Sequence, residues 1–270
     1  MIDRRRVMAV VRKDLREILR NPQLVAPLVV VPLLFTIVFP VAIILLGNNP
    51  AVTATINGLG AFLDNLPAGA VPEGLTEQQT IIYAATVFFL APLFLLVPVL
   101  FSSVIASSSV VGEKERRTIE GLLYTPISDR ELVLAKVLVS VIPSVLVAWV
   151  GFVFYAVIVN VLGGPVLGGI FFPTLSWVLM ILVTVPLVAF LATSLTVAVS
   201  GRATTVQGAQ GIAVLIVLPV IAMVVSQATG ALLFDVPIVL AASAFLLVVD
   251  IIAFVAVVAR FQRERIITRL

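Results

Sequence analysis

Apolar residues run unbroken along most of this chain, where a soluble helix or strand would alternate with polar ones. Six stretches, about 24–46, 80–106, 132–160, 174–199, 206–228 and 237–259, are dominated by apolar side chains. Each exceeds the ~18 residues that mark a membrane-crossing helix. The second and third are longer than a hydrocarbon layer of roughly 30 Å requires, so they either tilt or run on into water. Pro92 and Pro98 in the second and Pro186 in the fourth predict bends, tolerable where neighbouring helices satisfy the freed carbonyls. The pattern predicts an all-α membrane protein of six transmembrane helices, a single domain over 1–270.

Polar positions add a different element at the start. Over residues 4–20 the apolar side chains Val7, Met8, Val11, Leu15, Ile18 and Leu19 fall on one helical face. Arg12, Lys13, Asp14, Arg16, Glu17 and Arg20 fill the remainder. This is the pattern of a helix lying in the headgroup layer with its cationic face toward anionic lipid. Asn21-Pro22 breaks it, so residues 1–22 read as an interfacial helix leading into the first span.

Charge then sets the orientation. All 17 Lys and Arg residues lie in the N-terminal segment, between spans two and three, at Arg202 between spans four and five, or in the tail. The segments 48–79 and 161–173 carry none. By the positive-inside bias, both termini are expected in the cytoplasm, with the chain multi-pass in the cell membrane. The basic pI of about 9.7 therefore reports orientation rather than nucleic-acid binding. The first apolar run is longer than the 7–15 residues of a signal-peptide core, so it reads as an anchor. Composition agrees: 61% of residues are hydrophobic and 11% charged, against roughly 25% charged in soluble domains.

Three absences narrow the chemistry. The chain has no His and no Cys, which removes the usual residues of zinc, haem, thiol and His-assisted nucleophilic catalysis. No GxxxxGK[ST] phosphate loop occurs. An intramembrane hydrolase would need a Ser/Lys or paired-Asp site, but Lys136 lies at a span edge and Asp250 is the one Asp within a span. The chain reads as non-catalytic by itself.

The loop between spans two and three is the exception to this poverty of charge. Residues 112–136 hold ten charged side chains, five of each sign. Ile119, Leu122 and Leu123 form a small apolar face among them, and Pro126 stops that helix. Ser128 with Glu131 three residues later is a capping box that starts the third span. A solvated linker has no need of the apolar strip; rimmed by Glu and Arg, it suits docking against another protein.

This loop resembles the E-x-E-x-x-T-hydrophobic-E-x-L-L-x-T-P-[IV]-S … E-hydrophobic-hydrophobic-hydrophobic-G-K signature of permease subunits of ABC type-2 exporters. The match falls on Glu113, Glu115, Thr118, Glu120, Leu122, Leu123, Thr125, Pro126, Ser128, Glu131 and Lys136. It departs at Ala135, where the family usually has Gly. The element order is similar over the whole chain, and residues 201–211, GRATTVQGAQG, resemble the opening of the fifth span in the sodium-efflux-type/multidrug branch. The resemblance implies that 107–131 is a cytoplasmic coupling loop fitting a cleft on a separate ABC ATPase subunit. Ile119, Leu122 and Leu123 would supply apolar docking, and Glu113, Glu115, Arg116 and Glu120 the charged rim, with Thr118 and Pro126 in the same element. It also implies ATP and Mg bound on the partner rather than here, and a homodimer or a pairing with a second permease.

Inside the bilayer, Asp250 near the middle of span six is the costly residue, at about 2.5–3.5 kcal/mol on insertion scales. It reads either as a cation, proton or basic-cargo site or as a structural carboxylate. Gln207, Gln210 and Thr193 are further candidates for a transport path, with helix packing as the competing explanation. Gly208, Gly211 and Gly151 are expected to allow close backbone approach. The leading expectation is the membrane subunit of an ATP-driven exporter. The alternative is a gradient-driven carrier or channel that uses Asp250.

Overall fold

The computed structural model describes residues 3–47, 49, 66, 69–115, 127–200, 205–211, 213–228 and 232–260. No strand occurs among them. A first helix, α1, covers Arg4–Leu19. The six apolar runs are six helices: α2 Leu24–Gly47, α3 Glu77–Glu113, α4 Glu131–Leu167, α5 Leu175–Ser200, α6 Gly208–Gln227 and α7 Val236–Val257. The two longest runs do outlast a bilayer, since α3 and α4 each have 37 residues, about 55 Å at 1.5 Å per residue. The capping box stands where the spacing placed it. Glu131 N–H donates to Ser128 Oγ (3.3 Å) while Ser128 N–H donates to Glu131 Oε2 (2.8 Å).

α3 is the central helix, packed on α1, α4, α5 and α6. Its apolar stretch is 67% buried, against 17% for α7. The reason is side-chain size: Ser102, Ser103, Ala106, Ser107 and Ser109 of α3 are all buried, as are Ala189, Ala192, Thr193, Ser194 and Thr196 of α5. Without a hydrophobic force between helices in lipid, such small residues let van der Waals contact do the work. Outward faces keep large apolar groups such as Phe245, Ile252 and Val161 exposed.

Proline shapes three of the spans. A wide π-helical turn occupies Leu34–Val38, Ala85–Phe89 and Met180–Thr184, ending two or three residues before Pro40, Pro92 and Pro186. The proline ring clashes with the carbonyl four residues back, and widening the preceding turn relieves that clash. The wide turns thus stand just before Pro92 and Pro186, where the sequence predicts bends, and before Pro40 as well. Pro98 makes none of its own; it sits in the first turn of the helical segment restarting at Leu96, where proline is tolerated.

At the far end from α1, Gln79 Nε2 donates to Val166 O (2.6 Å), joining the start of α3 to the end of α4. Gly168, with φ +83°, closes that helix. The following segment folds back on Asn160, whose amide donates to Phe172 O and accepts from Phe171 and Phe172 N–H. Phe94, Tyr155, Phe172 and Trp177 make an aromatic core beneath it.

Close approach occurs at one of the glycines singled out. A Cβ on Gly151 of α4 would stand 2.7 Å from Thr36 Cγ2 of α2. Gly208 and Gly211 do not behave so: among the described residues, a Cβ there would meet within 4 Å only Thr205 Oγ1 and Gly208 O, atoms of their own turn. In that stretch the fully buried residue is Ala209.

Candidate functional site

The charged loop is flanked by Glu113, at the end of α3, and Lys136, in the second turn of α4. Both are buried, at 3% and 2% exposure, and they form an ion pair of 2.9 Å. A third buried charge completes the group. Asp14 of α1, 2% exposed, accepts from Lys136 Nζ at 2.7 Å. Ser109 of α3 joins through both its ends: its carbonyl accepts from Lys136 (2.7 Å) and its hydroxyl donates to Asp14 Oδ2 (2.7 Å). The three donors of the Lys136 ammonium thus each have a partner, which fixes its direction.

Lys13 closes the cluster from the half-exposed side, hydrogen-bonded to Glu113 and within 3.2 Å of Asp14 Oδ1 and 3.7 Å of Glu17 Oε2. Burial alone would lower its pKa, but the hydrogen bond and charge of Glu113, then those of Asp14, outweigh burial and raise it. Three carboxylates, of Asp14, Glu17 and Glu113, thus face two ammonium groups, of Lys13 and Lys136.

The burial of Asp14 corrects its assignment to the polar face of α1. At about 100° per residue, Val7, Val11, Asp14 and Ile18 form one narrow stripe. Val7, Asp14 and Ile18 are the buried residues of α1. Ile18 packs with Leu28, Ile105 and Val139, while Met8 and Leu19, on the far edge of the apolar sector, stay exposed. A second tie holds the start of this helix, where Asp3 N–H donates to Glu131 Oε1 (2.7 Å).

Of the residues assigned to coupling, Glu113 is therefore buried among charged partners. Glu115 closes the helical segment Leu96–Glu115. Arg116, Thr118, Ile119, Glu120, Leu122, Leu123 and Pro126 lie outside the described residues. Sequence reasoning missed Asp14 and Lys13 as members of this group. The available signal was the 7–11–14–18 spacing, which puts a carboxylate in an apolar stripe, together with a lysine inside an otherwise apolar span.

The second candidate group lies in the bundle. Asp250 is 3% exposed, and among the described residues neither carboxylate oxygen has a hydrogen-bond partner. Thr184 Oγ1 and Ser243 Oγ, 2.8 Å apart, and the Phe190–Phe254 ring contact at 5.7 Å set the register of α5 on α7. That register places Asp250 beside residues 186–191 of α5. Ser103 and Ser194 are also buried without partners. Thr193 and Thr196 instead donate back to Ala189 O and Ala192 O in their own helix, at 2.9 and 2.7 Å. Gln210 is half-buried beside α3, and the side chain of Gln207 lies outside the described residues.

Residues 8–258 match the family described as ABC-2 family transporter protein. The match begins within α1 and ends just past α7, so it takes in both candidate groups. No curated protein matches the chain.

Proposed function

Because this chain belongs to the ABC-2 family of transporter proteins, we propose that it is the permease subunit of an ATP-driven exporter, coupled to a separate ABC ATPase. The family match over nearly the whole chain is the observation that carries this reading. The coupling element is the loop between α3 and α4. Ile119, Leu122 and Leu123 enter an apolar cleft of the ATPase, with Glu115, Arg116 and Glu120 around them and Thr118 and Pro126 shaping the turn. ATP and Mg are held by that partner, and the permease contributes no catalytic group. Two permeases, identical or paired, flank one path.

The uniform placement of the basic residues supports a cell-membrane protein with both termini in the cytoplasm, and α1 against the inner headgroups. The cargo path runs along α3, α5 and α7, past Asp250 and Thr193, with Gln207 and Gln210 at its cytoplasmic mouth. A buried carboxylate without a partner supports that placement, because its cost is otherwise uncompensated. The outward direction of transport and the sodium-efflux-type/multidrug branch belong to the same proposal.

The test is co-purification. Replacing Leu122 and Leu123 together with Asp is expected to abolish association with the ABC ATPase, while the permease still inserts. Association retained by the double variant would overturn the docking assignment.

A further inference from the structure

We propose that Asp14 and Lys136 are positioning residues of the coupling step, joining the N-terminal helix to both flanks of the α3–α4 loop so that the three elements move as one body. This rests on the reading that the loop docks an ATPase. The geometry supplies every joint. Lys136 binds Glu113, so the residue before the loop and the residue after it are tied directly at 2.9 Å. Asp14 binds Lys136 and the Ser109 hydroxyl, each at 2.7 Å, so α1 is tied to both flanks. Asp3 N–H on Glu131 repeats the tie one helix-length away. With α1 held at two points, it cannot swing about either one alone.

A displacement applied to the loop therefore reaches the membrane through α1, α3 and α4 together. Without these ties each flank could bend separately, and the displacement would be lost in the last turns of α3 and the first of α4. The choice of charge is itself informative. Apolar side chains of similar volume often hold a buried site as well as an ion pair does, whereas fixed donors and acceptors specify one register. Here two of the Lys136 donors are directed at α3, to Ser109 O and Glu113, and the third at Asp14 of α1.

The experiment uses the full chain in lipid vesicles with its co-purifying ABC ATPase. Since the sequence has no Cys, Met8→Cys and Ile142→Cys, both at exposed positions, accept nitroxide labels on α1 and α4 without background. In the otherwise wild-type chain, the label distance is expected to be the same in the nucleotide-free and ATP-trapped states. In Asp14→Asn, the ATPase is expected to bind as before, the ATP-dependent distance to shift, and stimulation of ATP hydrolysis by the permease to fall to the rate of the ATPase alone. Unchanged stimulation, or a label distance that stays constant in Asp14→Asn, overturns the proposal. Should that variant fail to accumulate, Asp14→Cys with Ser109→Cys decides. Stimulation is expected when the pair is oxidised and to be lost when it is reduced; equal rates in the two states overturn the proposal. A wild-type chain that captures no ATPase overturns the docking reading and this one with it, an outcome distinct from all the others.

Discussion

The indole N–H of Trp177, on α5, donates to the carbonyl oxygen of Val87, on α3, at 2.7 Å. Val87 lies five residues before Pro92, in a wide turn whose bonds run from each N–H to the carbonyl five back, as Leu90 to Ala85 does. Proline has no N–H to continue that register, so the Val87 carbonyl is left without its donor. The same substitution of donors occurs on α5. Trp149 Nε1–H donates to Ile181 O at 2.9 Å, and Ile181 lies five residues before Pro186. The Tyr155 hydroxyl takes the neighbouring carbonyl, Thr86 O, at 2.6 Å. The chain's two tryptophans each supply a bond that a proline in another helix removed.

Trp177→Phe is expected to destabilise the bundle by about 1–3 kcal/mol, because the buried Val87 carbonyl loses its donor while most ring packing survives. Trp149→Phe should cost less, since Trp149 is 38% exposed and Trp177 is fully buried. Thermal unfolding of the purified protein in detergent checks the order. Equal losses would show that ring volume, not the indole N–H, is what α3 and α5 require.

Gly151→Ala places a methyl 2.7 Å from Thr36 Cγ2, closer than two carbon atoms tolerate, so α2 and α4 must separate. Overpacking of this kind costs about 1–3 kcal/mol. Adding Thr36→Ser removes the clashing methyl and keeps the hydroxyl that donates to Pro32 O. The double variant is expected to recover most of the loss, and a double-mutant cycle on unfolding midpoints would measure the coupling. Simple additivity would place the contact elsewhere.

Lys136→Met removes the buried ammonium from Asp14 and Glu113 and leaves them only the half-exposed one of Lys13. Removing one partner of a buried pair costs about 3–5 kcal/mol, more than removing the whole set. Lys136→Met combined with Asp14→Leu and Glu113→Gln is therefore expected to be more stable than Lys136→Met alone, though not coupled to ATP hydrolysis. Unfolding midpoints of the two proteins give the comparison.

The spans were legible because their signal is additive. About twenty apolar residues in a row cannot be anything but a crossing, and the capping box at Ser128 and Glu131 needs only local spacing. The disturbed turns at Pro92 and Pro186 were legible for the same local reason. Their relief by Trp177 and Trp149 was not, because the partners are 90 and 32 residues apart and no periodicity connects them. Asp14 shows an intermediate case. Its place in the stripe with Val7, Val11 and Ile18 could be read, but a charge in an apolar stripe reads as an edge residue until Lys136 is known to stand opposite. Gly208 and Gly211 show the reverse error, since small residues permit close approach without requiring it.

Asp250 separates stability from transport most sharply. Its carboxylate is buried, has no hydrogen-bond partner among the described residues, and lies on a helix most of whose apolar stretch is not buried by the chain. A carboxylate at mid-membrane costs about 2.5–3.5 kcal/mol on insertion scales, and no bond to either of its oxygens offsets that here. Asp250→Leu is therefore expected to raise the unfolding midpoint, the reverse of most core substitutions. If Asp250 lies on the proposed cargo path, the same variant is expected to lose export while still associating with the ATPase and inserting normally. Asp250→Asn, which keeps the shape but not the charge, should be intermediate in stability and equally inactive. Thermal unfolding and ATP-dependent export by the assembled transporter, measured on the same preparations, test the two halves together. A less stable Asp250→Leu would mean that the carboxylate has a partner during folding. Undiminished export by both variants would remove Asp250 from the cargo path.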